Sequence, residues 1–520
     1  ERGGLAFVHA RLFAHKRRRG ARGATLRGLV MVGLSVLHAG CATLGLGGGG
    51  VDRGAVDAIL DAPPLDQMSF GVLAVDASSG RTLYARNARR HFVPASNEKL
   101  LVTSTAVSLL GADYRYRTPV FAVGAQRGDT LDGSLVVVGS GDPTLSDRFY
   151  DSSGAALAQI ADSLRAVGIR HVTGGLVVDA SAWDSTTVGP TWEVDDLPYA
   201  YGATGGAFAL DQGELRVVLR GGPEPGDPVA VTWTPTGTRD FVLNRLVTAP
   251  TDSSTRVRSA YWPESRHVVL TGRVAADTVD TMAFAMRDPV RQATATLLRV
   301  LQERGVTVDD GWRVAWDSTA VVEAGCTAGH VADCRDAREV GALVSPPLME
   351  IVKGILEPSQ NWMTEQLIRT LGAQRGEGGS WRQGIDVMTR FLVDSVGIDS
   401  LDITPRDGSG LSSHNLVTPR AVVRILQYMA SRPHGAEFRH ALAEPGEEDS
   451  TLERRLAGFE GRLFAKTGTI SNVNSLSGYL VRDDGSEVIF SLLSNGSGLP
   501  SARVRAALDN VVRVLAGRHP

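Results

Sequence analysis

Ser96-Asn97-Glu98-Lys99, then Ser359-Gln360-Asn361, then Lys466-Thr467-Gly468-Thr469: these three short strings, in this order, decide how the 520-residue chain is read. The first places a hydroxyl and an amine three residues apart, where Pro94-Ala95-Ser96 opens an amphipathic run that reaches Leu110 and stops at Gly111. Residues three apart share one face of a helix, so the Lys99 ammonium can reach the Ser96 hydroxyl. The positive end of that helix favours an anion developing beside it. A lysine serves as a base only when its pKa falls, which burial and a second cation both cause, and Lys466 is the obvious second cation. Taken singly, each string has an ordinary reading: a capped helix start at Ser96, a helix cap at Ser359, an edge strand blunted by Lys466. Their order and company argue instead for acyl transfer.

Outward from these strings, apolar residues over 70–76 and 82–85 flank the turn Ala77-Ser78-Ser79-Gly80 and predict a hairpin. From 113 to 339 the texture changes to short β-rich runs broken by Gly and Pro, with one helix expected over 155–167. Helical spacing returns over 347–356, 361–371, 381–396 and 419–431. Strands are expected over 463–467, 475–482 and 488–494, with a closing helix over 501–515. The segment 113–339 carries no nucleophile machinery and reads as an insertion. The main domain is then built from 61–112 and 340–520, an α+β unit assembled from both ends of the chain.

The net charge of −3 and the mixing of bases with acids beyond the N-terminal region argue against nucleic acid as a partner. The run Lys16-Arg17-Arg18-Arg19 precedes an apolar stretch, Leu29 to Leu37, that ends at Ala39-Gly40-Cys41, so 1–41 reads as an export signal too short to span a bilayer stably. Cys41 is either a lipid-attachment site or a neighbour of a plain cleavage site. The location expected is therefore the periplasm or cell envelope, with membrane attachment through Cys41 as one option. Residues 42–60 form a Gly-rich tether. Its Gly45-x-Gly47-x-x-Gly50 pattern has no preceding strand and is not a nucleotide site. Cys326 and Cys334 flank His330; an exported chain favours a disulfide there over zinc, and no metal or other cofactor is expected.

Ser-x-x-Lys, Ser-x-Asn and Lys-Thr-Gly in this order resemble the signature of class A β-lactamases and penicillin-binding proteins, with Gln360 where Asp is usual. Ser140-Gly141-Asp142-Pro143-Thr144-Leu145, Asp407-Gly408-Ser409-Gly410-Leu411-Ser412 with Asn415, and Ser477-Gly478-Tyr479 narrow the resemblance. They are similar to the D-alanyl-D-alanine carboxypeptidase/endopeptidase family, the class C low-molecular-mass penicillin-binding proteins. The long insertion between the first two motifs fits that family and sets it apart from β-lactamases.

The resemblance implies a penicillin-binding, β-lactamase-like transpeptidase domain, an antiparallel sheet flanked by helices. It makes Ser96 the nucleophile, Lys99 its base and Ser359 the proton relay. Asn361 would bind the substrate peptide, Lys466 and Thr467 the terminal carboxylate, and the backbone N–H groups of Ser96 and Thr469 the oxyanion, with Gly468 leaving room. Val178-Asp179-Ala180-Ser181 resembles a segment whose acid approaches a diaminopimelate-type side chain, making Asp179 a specificity residue. The partners implied are peptidoglycan stem peptides, with β-lactams as covalent inhibitors. The alternatives are a β-lactamase or esterase on the same fold, or a non-catalytic wall-binding protein.

Overall fold

Strand β1 (Ser69–Asp76) is buried from Phe70 through Val75, so it cannot be the half-wet strand of a simple hairpin. Phe70, Val72 and Ala74 belong to one apolar cluster, and Leu73 and Val75 to another on the opposite face. Alternate side chains point to opposite faces of a strand, so a sheet covered on both sides demands this pattern. The computed structural model describes residues 50–235, 242–262, 267–317 and 336–519. The Cys41 and Cys326/His330/Cys334 readings lie outside these residues.

The sheet has five strands, all antiparallel. β2 (Thr82–Arg86) is one edge, followed by β1, then β5 (Glu487–Asn495), β4 (Val473–Val481) and β3 (Leu463–Ile470) at the other edge. One face packs on helices α1 (Arg53–Leu60) and α7 (Ser501–Leu515) through Val56, Leu60, Val504, Leu508, Val511 and Leu515. The other packs on α2 (Glu98–Leu110), α3 (Leu348–Leu356), α4 (Asn361–Arg375), α5 (Trp381–Asp394) and α6 (Pro419–Ala430).

Helix α2 differs from the amphipathic helix the sequence suggests. Every residue from Glu98 to Val107 is buried, because α2 runs through the centre of the helical layer. Its threonines keep their hydroxyls satisfied by donating one turn back, Thr103 to the Lys99 carbonyl and Thr105 to the Leu101 carbonyl, each at 2.7 Å.

The stretch between α2 and α3 forms its own sheets. A seven-stranded mixed sheet carries the strands Arg117–Arg127, Thr130–Val138, Leu176–Asp179 and Ala337–Val344 and packs on two helices, Ser153–Ala166 and Pro289–Glu303. The second helix was not foreseen, although Asp288 caps it, Pro289 opens it, and Val290, Ala293, Leu297 and Leu301 form its buried stripe. Two three-stranded sheets share a further cluster around Val217, Leu219, Leu270 and Phe284. Strand Ala337–Val344 returns antiparallel to Arg117–Arg127, pairing Val344 with Arg117. The two ends of the insertion therefore leave and rejoin side by side, which is how a long insertion is accommodated without disturbing its host.

Candidate active site

The chain enters the site through a strained turn. Pro94 precedes Ala95, whose φ of 48° lies in the left-handed region, and a 3₁₀ turn over Ala95–Asn97 then feeds α2. Gly410 packs so tightly here that a Cβ on it would lie 1.9 Å from the Ala95 carbonyl oxygen. Asn97 locks the turn to β3 and β4, donating to the Lys466 carbonyl at 3.1 Å and to Ser475 Oγ at 2.8 Å. These contacts fix Ser96, half-buried, at the mouth of the helix.

Lys99 lies one turn in and is fully buried. Its Nζ donates to Ser96 Oγ at 2.8 Å, Asn361 Oδ1 at 2.7 Å and the Ser409 carbonyl at 2.7 Å, using all three donor positions. Burial pushes its pKa down to about 7, against the opposing pull of the Glu365, Asp407 and Glu98 carboxylates. Glu365, one helical turn after Asn361 on α4, accepts from the Gly408 and Ser409 amides and from Trp381 Nε1. Burial and the nearby Asp407 raise its own pKa to about 7.

Ser359 sits in the left-handed region at φ 67°, just before α4. It does not cap that helix; Gln360 does, accepting from the Met363 amide at 3.2 Å. Ser359 Oγ is left free to accept from Lys466 Nζ at 2.7 Å, and Lys466 also donates to the Thr467 carbonyl at 2.9 Å. Lys466 is fully buried, and burial together with Lys99 holds its pKa well below that of a free lysine. Gly468 leaves the gap expected of it: a Cβ there would lie 2.9 Å from the Ser96 nitrogen.

Ser96, Ser359, Asn361, Thr467, Gly468 and Thr469 line one cavity of about 850 Å³, with Lys99 and Lys466 buried beneath it. Asp179 is the exception. It is buried at the end of its strand, accepts from the Ser181 amide and hydroxyl at 3.0 and 2.6 Å, and does not line the cavity. The acids that line it from the insertion are Glu193 and Asp196, beside Tyr201, whose carbonyl accepts from Asn361 Nδ2 at 2.8 Å. Sequence reasoning missed these because nothing local marks which loop of an insertion folds over a distant crevice. It also missed Glu365, for which the spacing of one turn from Asn361 was the available signal.

The model of the D-Ala-D-Ala carboxypeptidase 3 (S13) family matches residues 53–516. The chain belongs to this family. Among curated relatives, the D-alanyl-D-alanine carboxypeptidase of Actinomadura sp. (strain R39) is 32% identical over 464 residues, covering 86% of this chain and 82% of that protein. The D-alanyl-D-alanine carboxypeptidase DacB of Haemophilus influenzae is 22% identical over 86% of this chain and 90% of its own length. The crystal structure of penicillin-binding protein 4 (dacB) from Haemophilus influenzae superposes with a TM-score of 0.75 at 22% identity, covering 89% of this chain and 98% of that one. A second structure of that protein, complexed with a β-lactam, gives 0.70 over the same shares. The S13 fold, an α+β penicillin-binding architecture, is therefore that of this chain.

Proposed function

We propose that the protein is a serine DD-peptidase that hydrolyses D-Ala-D-Ala termini of peptidoglycan stem peptides, D-Ala-diaminopimelate type cross-links, or both, through an acyl-enzyme on Ser96. The observation that carries this reading is the 2.8 Å bond between Lys99 Nζ and Ser96 Oγ on the floor of a cavity that also holds Ser359 and the Lys466 strand. As the Ser96 oxygen attacks the carbonyl of the penultimate D-Ala, Lys99 in its neutral form takes the hydroxyl proton. The oxyanion is received by the backbone N–H groups of Ser96 and Thr469. Ser359, held by Lys466, delivers a proton to the departing amine, leaving the acyl group on Ser96. Water then attacks the ester, and the same groups return the enzyme to its starting state.

Asn361 positions Lys99 through Oδ1 and meets the substrate backbone at the cavity wall. The acidic wall of Glu193 and Asp196 takes the part earlier assigned to Asp179, facing the ammonium of a diaminopimelate-type side chain. A β-lactam presents an amide to the same oxygen and acylates it. The relatives named above are D-alanyl-D-alanine carboxypeptidases of bacteria, which supports action in the cell envelope after export, with Cys41 as the candidate point of attachment. The domain division read here is 61–112 plus 340–520 around an inserted 113–339, with one correction to the tether expected over 42–60: residues Arg53–Leu60 form α1, capped by Asp52, and pack on the main sheet through Val56 and Leu60.

Incubation of the protein with a fluorescent penicillin is expected to label the wild type and not Ser96→Ala. Absence of label on the wild type would remove the assignment. Digestion of muropeptide monomers and cross-linked dimers then separates terminal trimming from cross-link cleavage.

A further inference from the structure

Three strands of the insertion, Val242–Ala249, Arg256–Trp262 and His267–Ala275, form a small mixed sheet whose two faces are unlike. Alternate side chains point to opposite faces of a strand, so the register assigns each residue to one side. Val242, Leu246, Val268, Leu270 and Val274 take the inner side and join the apolar cluster around Phe284. On the outer side one cross-strand row runs Arg256, Arg273, Val247 and the next Arg258, Thr271, Arg245, with Leu243 one row further on. All four arginines are exposed, and the apolar residues between and beside them are exposed too, Leu243 at 40% and Val247 at 54%.

The fold itself does not answer these charges. Arg256 and Arg273 stand directly opposite each other, an arrangement of like charges that destabilises a sheet. Arg256 Nε donates to Ser254 Oγ at 3.3 Å and Arg273 Nε to the Ser254 carbonyl at 3.4 Å, but among the described residues none of the four arginines pairs with a carboxylate. The neighbouring acids, Asp252, Asp277, Glu224 and Asp227, lie in the turns and connections that border the sheet, and Asp227 is occupied by the Glu224 amide at 3.0 Å. The chain as a whole carries a net charge of −3, so this face is a local concentration of cations and not a sample of general basicity.

We propose that this outer face docks on an anionic phospholipid surface, the guanidinium groups meeting lipid phosphates and Leu243 and Val247 entering the boundary between headgroups and acyl chains. Charge complementarity alone would admit any polyanion. The two exposed apolar side chains favour the bilayer, which offers negative charge and an apolar layer beneath it on one surface. A guanidinium remains charged at any working pH and grips a phosphate at two points, so attachment holds wherever the envelope is anionic. The inference goes beyond the DD-peptidase reading and does not depend on it, since no residue of the cavity takes part.

The test is co-sedimentation of the mature protein, freed of the export signal 1–41 and so carrying neither its basic run nor a lipid, with vesicles of phosphatidylcholine alone or mixed with phosphatidylglycerol in equal parts. The wild type is expected to bind the mixed vesicles, to leave them at high salt, and to ignore phosphatidylcholine. Each basic residue near such a surface contributes about 5-fold in partition, so Arg245→Gln with Arg258→Gln is expected to weaken binding by about 30-fold, while Arg245→Lys with Arg258→Lys keeps it. Leu243→Ser with Val247→Ser is expected to weaken binding by about 10-fold. Melting curves and penicillin labelling of Ser96 in these variants are expected to match the wild type. A wild type that does not bind the mixed vesicles overturns the proposal, as does undiminished binding by the glutamine pair or a loss in the lysine pair equal to that in the glutamine pair. Undiminished binding by the serine pair also overturns it, because the face would then be a site for soluble polyanions and not for lipid.

Discussion

Lys466 Nζ donates to Ser359 Oγ across 2.7 Å, joining residues 107 positions apart at the back of the cavity. In the mechanism proposed above, that bond holds the serine hydroxyl for delivery of its proton to the leaving nitrogen. Replacing Lys466 by Met keeps the stem and removes the donor. Proton relay by a positioned group contributes roughly 10²- to 10⁴-fold, so acylation by a peptide substrate is expected to slow by about that factor. Because a fully buried ammonium is costly to hold, thermal stability should stay level or rise in the same variant. Stopped-flow acylation and a melting curve on one preparation check both halves; a loss of stability in proportion to the loss of rate refutes the assignment.

The base makes a pH prediction whose direction follows from burial. Lys99 must be neutral to accept the Ser96 proton, and its pKa lies at about 7. The rate of acylation is therefore expected to rise through pH 7 and to be lost as the pH falls below it. The same shift bears on stability. Between about 7 and the usual lysine value the unfolded chain binds a proton that the folded chain does not, so Lys99's contribution to stability increases with pH across that window. A pH profile of kcat/KM with no acidic limb near 7 would contradict it.

Glu365 supports that base without touching substrate. Its carboxylate favours the Lys99 ammonium, and it holds the Gly408 and Ser409 amides so that the Ser409 carbonyl meets Lys99 Nζ. Glu365→Gln removes the charge and one acceptor. The acidic limb of the acylation profile is expected to move to lower pH, and stability to fall by about 1–3 kcal/mol for the amide left unpaired. A limb that stays in place, measured beside a melting curve, would show Glu365 to be structural only.

How far these features could be read beforehand depends on whether their cause is local. The helix start at Ser96, the strand carrying Lys466 and the apolar run over Phe70–Val75 are local patterns, and the structure places them as elements of one sheet-and-helix domain. The three-residue spacing already points Lys99 at Ser96, although the 3₁₀ turn over Ala95–Asn97 and its long-range contacts complete the geometry. By contrast, Asp179 and Asp196 both follow short apolar or acidic runs of the insertion, and nothing local shows that the loop bonded to α4 through the Tyr201 carbonyl puts Asp196 on the cavity wall while Asp179 accepts from Ser181 at the end of its own strand. The full burial of α2 was hidden for a similar reason: Thr103 and Thr105 satisfy their hydroxyls within the helix and Lys99 bonds to distant residues, so an apparently wet face sits in the core.

Gly468 gives a steric prediction. A methyl group there would meet Ser475 Oγ at 2.2 Å and the Ser96 nitrogen at 2.9 Å, and neither the strand nor the strained turn can retreat without moving the nucleophile. Gly468→Ala is expected to cost about 1–3 kcal/mol in stability, the range for overpacking, and to abolish penicillin labelling of Ser96. Labelling at the wild-type rate would show that the turn is softer than this packing allows.

Trp192 tests whether the insertion takes part in the reaction or only hangs beside it. Its indole N–H donates to Asp407 Oδ2 at 2.9 Å, and Asp407 in turn accepts from the Gly410 and Ser412 amides and Asn415, holding the loop whose Ser409 carbonyl meets Lys99. The neighbouring Thr191 hydroxyl bonds to Ser412 Oγ at 2.5 Å, so the insertion reaches this loop at two successive residues. Trp192→Phe keeps a large apolar side chain and deletes the donor. A hydrogen bond to a charged group contributes about 1.5–3 kcal/mol, and its loss loosens the loop under Lys99 rather than the fold of the insertion itself. Acylation of Ser96 is expected to slow by about 10-fold or more on that arithmetic, with the insertion's own melting behaviour unchanged. An acylation rate equal to the wild type's would mean that Asp407 is held well enough by its own loop and that the insertion contributes only cavity wall.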